Sequence, residues 1–317
     1  MAEMNTDLEK THTVTGRFAP TPSGRLHLGN LMCAMLAWLS VRSRGGRFLL
    51  RIEDLDAARC AGMAENTRYL VDDMQWLGLD WDGEVLYQSE RSEIYATYFD
   101  RLDRAGLIYP CYCSRAELHA ASAPHLSDNT PIYDRRCLLR AERGEAPPAG
   151  RRPSFRVKVS DETIGFTDLL AGYYEEYLPR DCSDFVVRRS DGIHAYQLAV
   201  VVDDALSGVN EVLRGNDLVF STPRQIYLQR CLGFETPAYC HIPLLTDAEG
   251  RRLSKRDGDG CMETVRARYR DGRYVVGALA AALGLLPEVQ PVTPTELLPL
   301  FDLKKLPRDA IKLPEGF

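Results

Sequence analysis

The segment RFAPTPSGRLHLGN at 17–30 sets His27 and Gly29 directly before an apolar run. Pro20 and Pro22 hold the backbone extended, and Gly24 frees it to turn. A helix that starts here offers unpaired N–H groups and a partial positive charge, which suits phosphate. His27 adds a side-chain donor, Gly29 lets a ligand approach the backbone, and Asn30 follows in the same turn. Far along the chain, RRLSKRDGD at 251–259 carries Ser254 and Lys255 in a hydrophilic stretch bounded by glycine. Such a loop can close over a triphosphate and neutralise charge as it develops. Taken singly, each segment also has a plain reading, as a capped helix with a buried histidine or as an ordinary basic loop.

Four further residues fit a second ligand group. Arg17 lies just before the bend, Glu53 follows the apolar part of RIEDLD, Tyr196 precedes QLAVVVDD, and Arg214 ends VNEVLRG. Two arginines and a glutamate around one cavity suit a substrate with two carboxylates and one amine. A guanidinium matched to a carboxylate also rejects the neutral amide. The competing reading of any one of them is a structural ion pair; the expectation is that all four sit at strand ends facing one cavity. Separately, Cys111, Cys113 and Cys137 are close enough for zinc. Residue types alone leave His119 or His125 as the fourth ligand, against the alternative of three free thiols.

The elements that must position these groups alternate. VTGRFAP reads as a strand, and the run after the bend has Leu31, Met35, Trp38 and Leu39 at core-facing helical spacing, stopped by Gly45 and Gly46. RFLLRIEDLD is a second strand, and AENTRYLVDDMQWLGL a second helix. That order predicts a parallel α/β sheet, with ligands at the carboxyl ends of its strands. From Cys111 to Arg152 the pattern breaks up as an insertion would, and strand-like apolar runs resume from DFVVRRSDG onward. STPRQIYLQRCLG is a helix with Pro223 in its first turn, and the chain beyond residue 260 turns helical before a Pro-rich tail.

The 317 residues are 45% hydrophobic, 26% charged and 9% aromatic, with net charge −6, as in a globular enzyme. That balance argues against a surface that grips nucleic acid everywhere, leaving YDRRCLLRAERG and GRRPSFRVKV as candidates for one basic face. Nine scattered cysteines, a polar start without an apolar signal core and no membrane-length apolar run point to a cytoplasmic protein with no membrane partner. Monomer is the default expectation.

HLGN near the start and LSKR near the end resemble the two ATP-binding signatures of class I aminoacyl-tRNA synthetases. RFAPTPSGRLHLGN, RIEDLD, QSERSEIY, YQLAVVVDDALSGVNEVLRGNDLVFSTPRQI and RLSKRDGD are similar to the catalytic half of the glutamyl-tRNA synthetases. The chain stops soon after the lysine loop and carries a C-x-C…Y-x₃-C element, which resembles the stand-alone glutamyl-queuosine tRNA(Asp) synthetases. The resemblance implies a Rossmann-type parallel sheet split by a zinc-bearing insertion, with a short helical C-terminal region and no anticodon-binding domain. The corresponding segments are 1–110, 111–184, 185–260 and 261–317. It implies catalytic roles for His27 and Lys255, and glutamate binding by Arg17, Phe18, Ala19, Pro20, Thr21, Glu53, Tyr196 and Arg214. ATP, arriving with Mg²⁺, would be held by His27, Gly29, Asn30, Ser254 and Lys255. Structural zinc would take Cys111, Cys113, Tyr133 and Cys137, with His125 as the fallback. The acceptor would be queuosine in the anticodon loop of tRNA(Asp). Thr21 stands where that family more often has serine, keeping the hydroxyl, and Arg252 where it more often has lysine.

Overall fold

The computed structural model describes residues 13–55, 62–114, 116–118, 132–246 and 260–312. Strand β1 (Thr15–Phe18) pairs in parallel with β2 (Arg47–Ile52), from Thr15 opposite Arg47 to Phe18 opposite Leu50, and β3 (Leu86–Tyr87) extends β2 in parallel. Helix α1 (Leu28–Arg42) makes the first crossover, and α2 (Met63–Trp76) the second. Parallel strands need such crossovers, and β1, α1 and β2 supply the first, as the alternating pattern requires.

Helix α1 differs from the expected single stripe. Leu31, Met32, Ala34, Met35, Leu36 and Leu39 are all buried, so the helix is covered all round. A helix apolar on every face belongs inside a layered core. What covers it includes the C-terminal helices α7 (Met262–Arg268) and α8 (Gly272–Ala282), whose Met262, Val276, Leu279 and Ala280 share its cluster. On its other contacts α8 runs close enough to neighbouring backbone to need glycine: a Cβ on Gly272 would run into the Trp76 carbonyl at the end of α2, and one on Gly277 into that of Gln290.

After α3 (Ser92–Arg104) an antiparallel sheet intervenes, ordered β4 (Ile108–Cys111), β5 (Ser154–Val157) and β8 (Phe185–Arg188). A hairpin of β6 (Thr163–Asp168) and β7 (Gly172–Tyr177) lies between β5 and β8 in the chain, and the short helix α4 (Arg136–Glu142) between β4 and β5. Because β8 completes the ladder with β5, this sheet crosses the expected boundary at residue 184.

The parallel pattern then resumes with β9 (Glu211–Gly215) and β10 (Ala238–Ile242), joined by α6 (Ser221–Leu232). The two parallel halves meet at β1. Asn210 N donates to Thr15 O at 3.0 Å, and Thr15 N donates to Asn210 Oδ1 at 2.8 Å. Residues 196–206, read from sequence as strand-like, form helix α5 (Tyr196–Leu206). Leu198 to Val202 are all buried, and a short run that is apolar on every side has no periodicity to separate helix from strand. Tyr196 therefore opens a helix rather than ending a strand.

Candidate active site

The carboxyl ends of β1, β2 and β9 open on one cavity of about 490 Å³. Arg17, Phe18, Ala19, Pro20, Thr21, His27, Gly29, Asn30, Glu53, Tyr196 and Arg214 all line it. Residues as far apart in sequence as Arg17 and Leu245 thus share a wall, since Leu213, Arg214, Pro243 and Leu245 face His27 and Gly29 across it. Ser254 and Lys255 lie outside the described residues. Of the described residues nearest to them in sequence, Leu245, in β11 (Leu245–Thr246), lines the cavity, and Gly260 O accepts from Leu28 N at 2.9 Å.

At the helix end, Asn30 Oδ1 accepts from His27 N at 3.2 Å, closing the first turn of α1. A Cβ on Gly29 would stand 3.0 Å from Cε1 and Nδ1 of His27. The glycine therefore makes room for the imidazole as well as for any ligand.

The glutamate-type pocket is built from buried charge. Arg17 Nε donates to Asp204 Oδ1 at 3.1 Å, and Arg51 NH1 donates to the same oxygen at 2.5 Å. Arg51 NH2 reaches Glu53 Oε1 at 3.1 Å, so Glu53, Arg51, Asp204 and Arg17 form an alternating row. Burial raises the Glu53 carboxyl above its ordinary range, although Arg51 and Arg17 oppose the shift. Burial and then Glu53 raise the Tyr196 phenol. For Asp204 burial acts upward as well, but Arg17 and Arg51 outweigh it and hold the carboxylate ionised. Next to it, Asp203 accepts from Gln88, Arg91 and Tyr95 at 2.8, 2.7 and 2.8 Å, so the QSERSEIY stretch cages this second carboxylate.

Arg214 is held differently. Its Nε donates to His241 Nε2 at 3.0 Å, NH1 to Gln225 Oε1 at 2.9 Å and NH2 to Thr222 Oγ1 at 2.7 Å. None of these acceptors is a carboxylate. Three of five N–H donors are satisfied, and two remain for whatever enters the cavity. Sequence reading missed Arg51, Asp204, Thr222, Gln225 and His241. The Asp203–Asp204 pair ending a buried apolar run was the available signal, because buried carboxylates need cationic partners.

The three thiols expected to bind metal also meet. The sulfurs of Cys111, Cys113 and Cys137 all lie within 4.8 Å of one another, with Cys113 and Cys137 3.6 Å apart. Thiolates on tetrahedral zinc sit roughly 3.8 Å apart, so the donor set fits that ion. Tyr133 is buried beside them, and its phenolic oxygen accepts from Cys137 N at 3.0 Å. His119 and His125 lie outside the described residues. Burial, then Cys111 and Cys137, pushes the Cys113 thiol up to about 12. A cation would relieve that crowding. The same neighbourhood absorbs part of the Arg-rich stretches: Arg156 lies over the Tyr133 ring at 4.0 Å and Arg135 pairs with Asp184 at 2.8 Å.

Known proteins are similar to this chain in sequence and fold. The family model described as tRNA synthetases class I (E and Q), catalytic domain, matches residues 13–288. A protein of Symbiobacterium thermophilum named glutamyl-Q tRNA(Asp) synthetase is 50% identical over 312 residues, covering 94% of this chain and 95% of its own. One of Geobacter sulfurreducens with the same name is 46% identical, covering 87% and 86%. Among solved structures, a glutamate tRNA ligase from Elizabethkingia meningosepticum in complex with its amino acid superposes with TM-score 0.77 at 24% identity, over 96% of this chain and 67% of that one. The fold is thus that of the class I catalytic domain, α/β with a parallel sheet. Among the described residues no helix is long and apolar enough to cross a membrane.

Proposed function

This chain belongs to the glutamyl-Q tRNA(Asp) synthetase family within the class I synthetases for glutamate and glutamine, and we propose from that premise how its cavity works. The enzyme is a ligase that activates glutamate with ATP and transfers it to queuosine in tRNA(Asp). The observation that carries the residue assignment is the row of buried charge beside a helix N-terminus, with two arginines and Glu53 lining one cavity.

Arg17 and Arg214 read the two carboxylates of glutamate, Glu53 takes its ammonium, and Tyr196 and Thr21 offer hydroxyls. Phe18, Ala19 and Pro20 supply the wall. The α-carboxylate is ionised at neutral pH, so no general base is needed. One of its oxygens attacks the α-phosphorus of ATP, and pyrophosphate leaves as glutamyl-adenylate forms. His27, Gly29 and Asn30 hold the nucleotide at the start of α1; Ser254 and Lys255 neutralise charge on the phosphates that Mg²⁺ accompanies. A hydroxyl on the cyclopentenediol of queuosine then attacks the glutamyl carbonyl. The ester forms, AMP leaves, and the hydroxyl proton goes to solvent.

Cys111, Cys113, Cys137 and Tyr133 would hold zinc, which supplies no chemistry to the reaction because four protein ligands leave no open position. We place the enzyme in the cytoplasm, where the thiols stay reduced.

The test is transfer of radiolabelled glutamate, with ATP, to purified tRNA(Asp) with and without queuosine, before and after blocking its 3′ end. Label that needs queuosine and ignores the block is the expected result. Label that needs a free 3′ end would replace this reading with ordinary aminoacylation.

A further inference from the structure

Arg214 lines the cavity, but the residue that sets its orientation does not. His241, in β10, is 1% exposed and absent from the cavity wall. Its Nδ1 lies 2.6 Å from Asp168 Oδ2, and its Nε2 lies 3.0 Å from Arg214 Nε. Two independent constraints fix which nitrogen carries the proton. A guanidinium can only donate, so Nε2 must accept. Besides the imidazole contact, Asp168 accepts from three backbone N–H groups: Leu170 and Ala171 at Oδ1 (2.9 and 2.8 Å), and His241 N shared between both oxygens (3.2 and 3.0 Å). A carboxylate so placed is an anion and an acceptor, so Nδ1 must donate.

We infer that His241, locked by Asp168 as the Nδ1–H tautomer, is a positioning residue that aims the Arg214 guanidinium at the substrate carboxylate. Gln225 and Thr222 hold the two terminal nitrogens, while His241 holds Nε and so sets the plane about which the fork turns. The three acceptors carry no charge, so the guanidinium keeps its full attraction for an anion in the cavity. Protonated His241 would place a second cation and an opposed donor against Arg214. Burial, with Arg214 acting the same way, keeps the imidazole neutral against the pull of Asp168. Asp168 thus acts on the substrate through two residues, β6 supporting β10 and β10 supporting β9.

This inference rests on the reading that Arg214 binds a glutamate carboxylate, and the experiment separates the two. Glutamate KM, ATP KM and kcat are measured in transfer to queuosine-bearing tRNA(Asp) for wild type, Arg214→Lys, His241→Leu, His241→Gln and Asp168→Asn. Gln places an acceptor near the Nε2 position, whereas Leu does not. The expected result is a rise in glutamate KM of about tenfold or more for His241→Leu and Asp168→Asn, with ATP KM unchanged and His241→Gln closer to wild type. Unchanged glutamate KM in Arg214→Lys sinks the reading of Arg214. A raised KM there together with wild-type values in both His241→Leu and Asp168→Asn overturns the positioning role alone. Nitrogen-15 shifts of the wild-type imidazole give a check that needs no variant to fold: an unprotonated Nε2 supports the inference, and a protonated Nε2 overturns it.

Discussion

Asp204 holds Arg17 from a helix 187 residues further along the chain, its Oδ1 lying 3.1 Å from the guanidinium Nε while also accepting from Arg51. One carboxylate thus braces both arginines behind the glutamate pocket. Removing one partner of a buried pair costs about 3–5 kcal/mol, because the remaining charge stays buried and uncompensated. Asp204→Asn takes the charge partner from Arg17, while Arg51 keeps Glu53. We expect a loss of stability of that size in urea denaturation, together with a raised glutamate KM. Wild-type stability in the variant would mean that Asp204 does not carry this load.

Gly29→Ala tests the other end of the cavity. The added methyl stands 3.0 Å from two ring atoms of His27, and the imidazole can swing away where backbone could not. Alanine also favours the helix by up to about 1 kcal/mol. The expected outcome is a split: a melting temperature within a few degrees of wild type, with ATP KM raised and pyrophosphate exchange reduced. Equal ATP KM in the two proteins would remove Gly29 and the His27 ring position from nucleotide binding.

What could be read from sequence followed the range of the interactions. The bend at 17–30 was legible because Pro20, Pro22, Gly24 and Gly29 act on their own backbone. The strand–helix alternation was legible because β1, α1 and β2 are contiguous. Helix α5 was not, since its central residues are buried on every side and show neither period. Nor were the supports of Arg214, because His241 and Asp168 lie 27 and 73 residues from their partners and only the packing of β6, β9 and β10 brings them together. Cys111, Cys113 and Cys137 stood out by spacing, whereas Tyr133 came only through resemblance to a family.

Zinc at the cysteine cluster should be part of the fold. Purified protein should carry about one zinc per chain, and its removal should leave three close thiols without their cation. We expect the melting temperature of verified metal-free protein to fall by several degrees and to recover on adding zinc. Cys137→Ala should reproduce the loss. An unchanged melting temperature after complete removal would retire the structural role.

Lys255→Ala should separate chemistry from binding of the amino acid. A donor that meets charge developing on phosphate is worth about 10²–10³-fold in rate. Adenylate formation, followed by pyrophosphate exchange, should drop by that order while glutamate KM stays near wild type. Undiminished exchange would remove Lys255 from the mechanism.

The state of His241 should also be visible in the dependence of stability on pH. Burial lowers its folded-state pKa below the ordinary value, so the native protein resists a proton that the unfolded chain accepts below about pH 6.5. The unfolded state then binds more protons, and stability falls as pH drops through that value. Asp168 does not interfere in this window. Its carboxyl is held below the ordinary range, against burial, by His241 and the backbone N–H groups, so its contribution is lost only at lower pH. Glu53 works in the opposite direction, since burial raises its folded-state pKa and protonation there favours the native state. A comparison with His241→Gln, which has no titrating ring but keeps the same Glu53, cancels that opposing effect. Between about pH 7.5 and 5.5 the wild type should lose more stability than the variant, by at most about 1.4 kcal/mol per pH unit below 6.5. Calorimetric melting at several pH values reads the difference, and parallel curves for the two proteins would show that His241 takes up a proton as readily folded as unfolded.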